Sequence, residues 1–291
     1  MKILLTGAGG FLGNKLVEQL SGHHELFCLT RSLDTNLLPV PGVNWIAMDL
    51  GLGLDLSRLP EKLDAIVHLA QSRSYTDFPG GAPDVFAVNV RMAQDLCGYG
   101  LSAGISRMVL ASTGSVYEPY ECAMRETDFV RPSGYYASSK LAAEHLSEAY
   151  SKHFSVANLR LFFLYGFGQK NMMIARLIEN VRNGNKVSLP NDGMGLEFVP
   201  THVSDAARIF VQSLSEGWMG PINVASPHRI NLADFLSLIS AETGKPLNLE
   251  ITSQAPPNPI VPNLGLLASK TDMSLFLHPR DGITRTVHGE F

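Results

Sequence analysis

The chain has 291 residues, of which 45% are hydrophobic and 17% are charged, an ordinary globular balance with ample length for a buried core. Its formal net charge is −4, and lysines and arginines form no cluster along the sequence. These properties exclude the basic surface expected of a protein that binds nucleic acid or anionic membranes.

The cysteines and the N-terminus bear on redox state and location. Cys28, Cys97 and Cys122 are odd in number, far apart and without metal-ligand spacing, so we expect reduced, mostly structural thiols and no metal site. A strand pattern that begins at Lys2 leaves no room for a signal peptide, and no apolar run reaches transmembrane length. A cytoplasmic location is therefore expected.

The first thirteen residues, MKILLTGAGGFLG, carry the strongest motif. An apolar strand, Lys2 to Thr6, leads into Gly7, Gly10 and Gly13, and residues 14–20 have helical periodicity. Glycines at this spacing allow a sharp turn, close approach of a pyrophosphate and close helix packing, while the helix N-terminus faces the phosphates. The pattern predicts dinucleotide binding. The alternative is a glycine-rich turn without a ligand.

Strand and helix patterns then alternate along the first half of the chain. Strands are predicted at Glu25–Leu29, Val43–Ala47, Ala65–Leu69, Arg107–Ala111 and Val156–Leu161, and helices include Pro83–Ala103 and Tyr135–His153. Such repeated units need a parallel sheet covered on both faces, so the fold class is α/β with a doubly wound parallel sheet.

The pattern becomes irregular after about residue 165. Helices are predicted at Met172–Val181, Ser204–Leu214 and Leu232–Glu242, and Ala255–Pro262 is predicted to be extended or loop-like. We therefore expect a dinucleotide-binding domain at 1–165, to which 200–225 returns. Residues 166–291 are expected to form mostly a smaller α/β substrate-binding lobe over the reactive end of the cofactor.

The end of the second strand bears on the choice of cofactor. It reads Leu29-Thr30-Arg31-Ser32, with no acid where a 2′-phosphate would sit and with Arg31 available to pair with one. This favours NADP slightly over NAD, unless Arg31 is a solvated loop residue or stacks on adenine. Asp49 is a candidate acceptor for the adenine amine, or a turn aspartate.

A candidate acid/base pair follows at Tyr136 and Lys140, which lie four residues apart on one helix face. An adjacent ammonium and a positive nicotinamide ring stabilise a phenolate that otherwise forms only near pH ~10. Tyr135 would project away from Lys140. Ser112 and Thr113 follow a strand at the sheet edge where ligands bind, and a hydroxyl there can orient the reacting oxygen. The alternative is a helical tyrosine with a surface lysine.

Together these motifs resemble the extended short-chain dehydrogenase/reductases, the NAD-dependent epimerase/dehydratase family, over nearly the whole chain. The resemblance rests on the following segments: TGAGGFLG, Val67–Ala70, Asn89-Val90, STGSVY, YYASSK, Arg160–Gly168, His202–Asp205, Pro221–Val224 and Leu232–Gly244. It implies a Rossmann fold, an NAD(P)-dependent enzyme and a homodimer.

Carried over by position, the resemblance implies Thr113 as the catalytic hydroxyl, Tyr136 as the acid/base and Lys140 as its activator, with Ser112 the less favoured hydroxyl. Asn89 is expected to support the site from its helix. The full set of expected cofactor contacts is Gly7, Gly10, Phe11, Leu12, Gly13, Arg31, Asp49, Leu50, Leu69, Ala70, Asn89, Tyr136 and Lys140.

The sequence departs from the family pattern in ways that narrow the function. Family members that perform 4,6-dehydration carry an Asp-Glu pair after the catalytic hydroxyl, where this chain has Gly114 and Ser115. Epimerases usually have an asparagine where Phe163 stands, and commonly an arginine in the segment occupied by 196–200. An arginine is a strong bidentate phosphate ligand, so these changes argue against the usual binding mode of a UDP-sugar. Another arginine could replace the missing one, and the candidates are Arg176, Arg182, Arg229 and Arg280.

Three functions remain open on the sequence. The first is hydride transfer between nicotinamide and a secondary alcohol or ketone of a nucleotide sugar, by 4-epimerisation or keto-sugar reduction. The second is an NADPH-dependent ketone or aldehyde reductase on a non-sugar metabolite, which Phe163 and Leu196 favour. The third is an inactive dinucleotide sensor, against which the retention of Thr113, Tyr136 and Lys140 argues.

Overall fold

The computed structural model describes residues 1–33, 40–120 and 124–289. The chain divides into two compact units, one of residues 1–119, 129–160 and 207–222, the other of residues 120–128, 161–206 and 223–291. Within the described residues, no helix is long and apolar enough to cross a membrane.

The strands of the main sheet come mostly from the first unit. They are β1 (Lys2–Thr6), β2 (Glu25–Thr30), β3 (Val43–Ala47), β4 (Ala65–His68), β5 (Arg107–Thr113), β6 (Ser155–Leu161) and β11 (Gly220–Val224). Their order across the sheet is β3-β2-β1-β4-β5-β6-β11, and the pairings from β3 to β5 are all parallel. The prediction of a doubly wound parallel sheet is confirmed, and each predicted strand lies within two residues of its observed bounds.

The helices of the first unit connect these strands. They are α1 (Phe11–Leu20), α2 (Ala82–Val85), α3 (Met92–Ala103) and α4 (Tyr135–Glu148), followed by α6 (Val203–Glu216). One π-helical turn, Phe86–Arg91, joins α2 to α3, so the helix predicted at Pro83–Ala103 is a single run of mixed geometry. The helix predicted to reach His153 ends at Glu148, and residues 149–153 form turns in which the N–H groups of Tyr150, Ser151 and His153 donate to carbonyls three residues earlier.

The core of the first unit is an apolar cluster between the central strands and α3. Leu4, Leu29, Ile66 and Leu110 of the central strands pack with Met92, Leu96 and Cys97 of α3. Cys28 and Cys97 are buried free thiols, and burial raises the pKa of each to about 12. Both are therefore unreactive structural residues. Cys122 lies outside the described residues.

The second unit is built from short elements around its own core. Its strands are β7 (Leu164–Tyr165), β8 (Val187–Leu189), β9 (Glu197–Phe198), β10 (Thr201–His202), β12 (Ile230–Asn231) and β13 (Leu249–Ile251), and its helices are α5 (Met173–Arg182), α7 (Leu232–Thr243), α8 (Gly265–Ala268) and α9 (Pro279–His288). β7 pairs with β10, β8 with β13 and β9 with β12. Residues 255–262 form neither helix nor strand, apart from a bridge between Ile260 and Phe198.

Candidate active site

The turn between β1 and α1 has the geometry of a phosphate cradle. Gly7 adopts φ +69°, and its carbonyl accepts from the N–H of Gly10 at 2.9 Å. A Cβ on Gly13 would lie 2.1 Å from the Gly7 carbonyl oxygen. In the described part of the chain, no side chain caps the N-terminus of α1, and its first turn carries no acid. The turn is thus a space that side chains would fill, beside N–H groups suited to a pyrophosphate.

The segment after β4 lies against this turn. The N–H of Leu69 donates to the Thr6 carbonyl, and the N–H of Ala70 donates to Thr6 Oγ1, both at 3.2 Å. A Cβ on Gly7 would lie 2.8 Å from the Ala70 nitrogen. Leu69 and Ala70 therefore border the cradle, where the resemblance expects the cofactor to lie.

The carboxyl ends of β2 and β3 border an open cavity of about 410 Å³. Arg31 and Asp49 are both exposed and line it, with Ala47, Met48, Leu52, Gly53, Leu54, Asp55 and Arg58. Asp49 Oδ1 accepts from the N–H of Gly51 at 2.9 Å, the contact of a turn aspartate. Leu50 is buried in the core of the unit instead of lining this cavity. The cavity lies at the carboxyl ends of the strands, the side of a doubly wound sheet on which ligands bind.

Two hydroxyls stand at the end of β5. Ser112 is buried, and its Oγ donates to the carboxylate of Glu144. Thr113 is half-buried, and its Oγ1 accepts from the N–H of Ser115 at 3.1 Å, which caps a short 3-10 turn. This contact uses a lone pair of Thr113 and not its hydroxyl hydrogen. The geometry therefore favours Thr113 over Ser112 as the hydroxyl that meets a ligand.

α4 presents the predicted tyrosine and lysine. Lys140 is 6% exposed, and its Nζ donates to the carbonyl of Ala111 on β5 at 3.1 Å. The phenol of Tyr136 donates to Gln71 Oε1 at 3.0 Å. Tyr135 points to a different neighbour, since its hydroxyl donates to the Ala82 carbonyl at 3.3 Å. Tyr136 and Lys140 thus share a helix face at the carboxyl end of the sheet.

Asn89, in the π-helical turn, fixes the surroundings of Tyr136. It is 1% exposed, its Oδ1 accepts from the N–H of Ser72, and its Nδ2 donates to Ser139 Oγ, both at 3.0 Å. The Ser139 hydroxyl in turn donates to the carbonyl of Tyr136 at 2.7 Å. Asn89 therefore ties the loop after β4 to α4. An extra residue in a helical turn often occurs at functional sites.

Burial governs the charges of this site. It lowers the pKa of Lys140 to about 8, and the Glu144 carboxylate opposes that shift. Burial, with a smaller effect of Lys140, also lowers the pKa of His68 to about 3. His68 is thus a neutral core residue, within 2.7 Å of Thr6 Oγ1. Because the pKa of Lys140 lies near neutral pH, the charge of its side chain depends on the charged and polar groups around it.

Sequence reasoning missed two groups of residues around Tyr136 and Lys140. Gln71 and Tyr75 both contact Tyr136, and the Tyr75 ring centroid lies 5.2 Å from that of Tyr136. The chain gives no local signal for this contact, because it spans about sixty residues. Glu144 and Arg160 form a buried ion pair. A charged residue inside the apolar run of β6 was the available signal for that pair.

Phe163 and Leu196, which stand where epimerases usually have an asparagine and an arginine, belong to the second unit. Phe163 packs against Phe198 with ring centroids 5.0 Å apart, and Leu196 packs against the same core. The guanidinium of Arg229 forms a fork with the Glu197 carboxylate. Arg182 Nη2 donates to the carbonyl of Val287 at 2.6 Å. In this unit, therefore, two of the candidate phosphate ligands already have protein partners.

The chain resembles known proteins over nearly its full length. An uncharacterized UDP-glucose epimerase, YtcB of Bacillus subtilis, is 28% identical over 99% of this chain and 97% of its own. A dTDP-4-dehydro-6-deoxy-D-allose reductase of a Streptomyces species is 24% identical over 87% of this chain and 85% of its own.

A solved structure shares the fold. It is that of the UDP-glucuronic acid 4-epimerase of Bacillus cereus in complex with UDP-glucuronic acid and NAD. It superposes with a TM-score of 0.86 at 24% identity, and the match covers 99% of this chain and 98% of that one.

A family model agrees with these likenesses and with the motifs. The sequence model of the NAD-dependent epimerase/dehydratase family matches residues 3–231, which include the glycine turn, Thr113, Tyr136 and Lys140. The match covers most of the chain and confirms the resemblance predicted from the sequence. With its doubly wound sheet and its tyrosine–lysine pair, the protein belongs to the NAD-dependent epimerase/dehydratase family.

Proposed function

We propose that this protein binds a nicotinamide dinucleotide and catalyses hydride transfer between it and a secondary alcohol or ketone of a nucleotide sugar. The observation that carries the proposal is the continuity of the site within the first unit. Ala70 lies against the Gly7 turn, and the next residue, Gln71, accepts the hydrogen bond of the Tyr136 phenol. The phosphate cradle and the acid/base pair therefore border one continuous stretch of chain.

Each catalytic side chain has a distinct role in this proposal. When bound, the dinucleotide supplies the hydride donor or acceptor. Tyr136 takes the proton of the substrate hydroxyl or returns one to the carbonyl oxygen. The Lys140 ammonium stabilises the phenolate, because it lies on the same helix face and is shielded from water. Thr113 donates its hydroxyl hydrogen to the same substrate oxygen.

The relatives support a nucleotide sugar as substrate. Two of the similar proteins are UDP-sugar epimerases by name, and a third reduces a dTDP-keto sugar. Epimerisation follows if the cofactor is reduced and reoxidised within one turnover, and reduction follows if it leaves after one transfer. Gly114 and Ser115 stand where 4,6-dehydratases carry acids, which argues against dehydration.

A second candidate is a reductase of a non-sugar ketone or aldehyde. Phe163 and Leu196 are apolar where sugar-nucleotide epimerases usually have an asparagine and an arginine. Arg229, a possible replacement, is engaged by Glu197. If no arginine binds the diphosphate of a nucleotide sugar, a smaller substrate that has no diphosphate is the better fit.

The test begins with the purified protein. We expect an absorbance spectrum and an extracted nucleotide that identify NAD or NADP, followed by conversion of UDP-glucose or UDP-glucuronic acid to the C4 epimer, observed by NMR. Reduction of a 4-keto sugar nucleotide with oxidation of added NADPH would identify a reductase. Turnover of simple ketones alone would favour the second candidate, and tight dinucleotide binding without any turnover would identify a sensor.

Cofactor choice forms a separate part of the proposal. Arg31 at the end of β2 favours NADP slightly, whereas the similar epimerase from Bacillus cereus was solved with NAD. If Arg31 pairs with a 2′-phosphate, we expect Arg31→Ala to weaken NADPH roughly 10-fold and to leave NADH nearly unchanged. Calorimetric titration of both cofactors measures this, and the difference should shrink at high salt.

Lys62→Ala is the matched control for Arg31→Ala. Lys62 is exposed and precedes β4, so it lies near the amino ends of the parallel strands, whereas Arg31 follows a carboxyl end. Its substitution removes the same charge. Its loss should affect both cofactors equally and weakly. Equal weakening of NADPH and NADH by Arg31→Ala would remove Arg31 as a phosphate partner and favour NAD.

The proposal also includes a cytoplasmic homodimer that pairs α3 and α4 of two copies. Leu101 on α3 and Leu146 on α4 are exposed apolar side chains that such pairing would bury. A mass in solution of twice 31.7 kDa is the direct check of the dimer.

A further inference from the structure

A buried ion pair lies one helical turn beyond Lys140. Glu144 of α4 is 3% exposed and Arg160 of β6 is 4% exposed. Arg160 Nη2 lies 2.7 Å from Glu144 Oε2, and Nε lies 3.1 and 3.2 Å from the two carboxylate oxygens. The fork geometry fixes both the position and the plane of the carboxylate.

Further hydrogen bonds attach this pair to the end of β5. Ser112 Oγ donates to Glu144 Oε1, and Arg160 Nη1 donates to the Tyr117 hydroxyl at 2.7 Å. The Arg160 guanidinium carbon also lies 4.9 Å from the Tyr117 ring centroid. Burial works against the charge of Arg160, but the hydrogen bonds and charges of Glu144 and Tyr117 outweigh it and raise its pKa. Arg160 is thus a permanent cation.

The charged and titratable groups near Lys140 come from α4, β4, β6 and the turn after β5. Lys140 and Glu144 lie four residues apart on α4, on the same face. Arg160 adds one positive charge from β6, His68 of β4 is neutral, and Tyr117 and Tyr136 are phenols. Among these groups of the described residues, one carboxylate balances two buried cations, and the remaining positive charge favours a phenolate at Tyr136. Without Glu144, two cations would be buried together, and Lys140 is the one that can lose its proton.

We propose that Glu144 is a positioning residue for Lys140, whose carboxylate, held in place by Arg160 and Ser112, keeps the buried ammonium charged. In this arrangement Ser112 is committed to Glu144, which leaves Thr113 as the hydroxyl for the substrate. The catalytic consequence rests on the function proposed above. The charge of Lys140 itself does not, because it can be measured in the resting protein.

The direct test is the titration of Lys140 by NMR in protein with ¹³C-labelled lysine, assigned by comparison with Lys140→Met. Glu144→Gln keeps the shape of the side chain and removes its charge. We expect the pKa of Lys140, about 8 in the wild type, to fall by roughly one to two units in this variant. An unchanged pKa in folded Glu144→Gln protein would overturn the proposal.

Two further variants separate charge from structure. Glu148→Gln, one turn along α4, removes the same charge from an exposed position and should leave the pKa of Lys140 unchanged. The double variant Glu144→Gln/Arg160→Met removes both members of the ion pair, so no unpaired buried charge opposes folding. Its Lys140 pKa should lie above that of the single variant. A value equal to or below the single variant would contradict the charge balance.

The kinetic readout has a defined sign. Because the ammonium is the active form, kcat should fall as pH rises through the pKa of Lys140, and this alkaline limb should move to lower pH in Glu144→Gln. At mildly alkaline pH we expect a loss of roughly 10-fold that recovers as the pH is lowered. A pH-independent loss with an unshifted Lys140 pKa would indicate a structural role alone. If the wild type turns over no nucleotide sugar, the titration still decides the role of Glu144.

Discussion

Replacing Tyr136 with phenylalanine is expected to lower kcat by about 10²–10⁴-fold, the usual contribution of a general acid/base. The variant loses the hydroxyl that is proposed to meet the substrate oxygen and keeps the ring that packs against Tyr75. Since Lys140 and the glycine turn are untouched, dinucleotide binding should persist within a few-fold. Steady-state turnover of the substrate that the conversion assays identify, with calorimetric titration of the cofactor, measures both effects.

Tyr135→Phe is the matched control for this substitution. Tyr135 is the preceding residue on α4 and loses the same hydroxyl, but that hydroxyl donates to the carbonyl of Ala82. Its ring packs against Phe78 with centroids 5.1 Å apart, a contact that phenylalanine retains. We expect activity close to that of the wild type. Near-normal turnover by Tyr136→Phe, or an equal loss in both variants, would remove Tyr136 from its proposed role.

The fold of the first unit was predictable because its signals are local. The strands β1 to β6 were recognised as short runs rich in apolar residues, and the Gly7 turn could be placed from spacing alone. The strand β11 was not among those predicted. The positive φ of Gly7 and the tight space at Gly13 are what that spacing predicts. The bounds of α4 were less accessible. Its helical pattern continues to His153, but the helix ends at Glu148 and the chain continues in turns.

The second unit and the surroundings of Tyr136 were harder to predict, for two different reasons. β7, β9, β10 and β12 have two residues each, too few for a period to be recognised. Gln71 and Arg160 contact residues of α4 that are distant from them in sequence. Patterns read over a short stretch of sequence do not detect such contacts. The tyrosine–lysine pair was found because both residues sit on one helix. Glu144 lies one turn further on the same helix, but its ion pair with Arg160 of β6 could be recognised only in the structure.

A single methyl group added at Gly13 is expected to weaken dinucleotide binding strongly. In Gly13→Ala the added Cβ would lie 2.1 Å from the carbonyl oxygen of Gly7 and 2.7 Å from that of Ala8. Both neighbours are backbone atoms, so the turn itself must open and its N–H groups must lose their alignment. We expect a loss of ~3 kcal/mol or more in the free energy of unfolding. With two or three phosphate hydrogen bonds lost, affinity should fall roughly 100-fold.

Gly10→Ala and Gly98→Ala make this expectation specific. A Cβ on Gly10 would lie 3.0 Å from the Gly7 oxygen, so this variant should fold and bind the dinucleotide with an intermediate loss. Gly98 lies in α3, and apart from its chain neighbours and its own helix backbone no described atom lies within 4 Å of an added Cβ. There alanine should raise stability by up to about 1 kcal/mol, through helix propensity, and leave binding unchanged. Thermal unfolding and calorimetric titration measure all three variants. Wild-type affinity of Gly13→Ala for the dinucleotide would contradict this prediction. It would mean that the turn can open without loss of the ligand, and that close packing does not account for the glycine at this position.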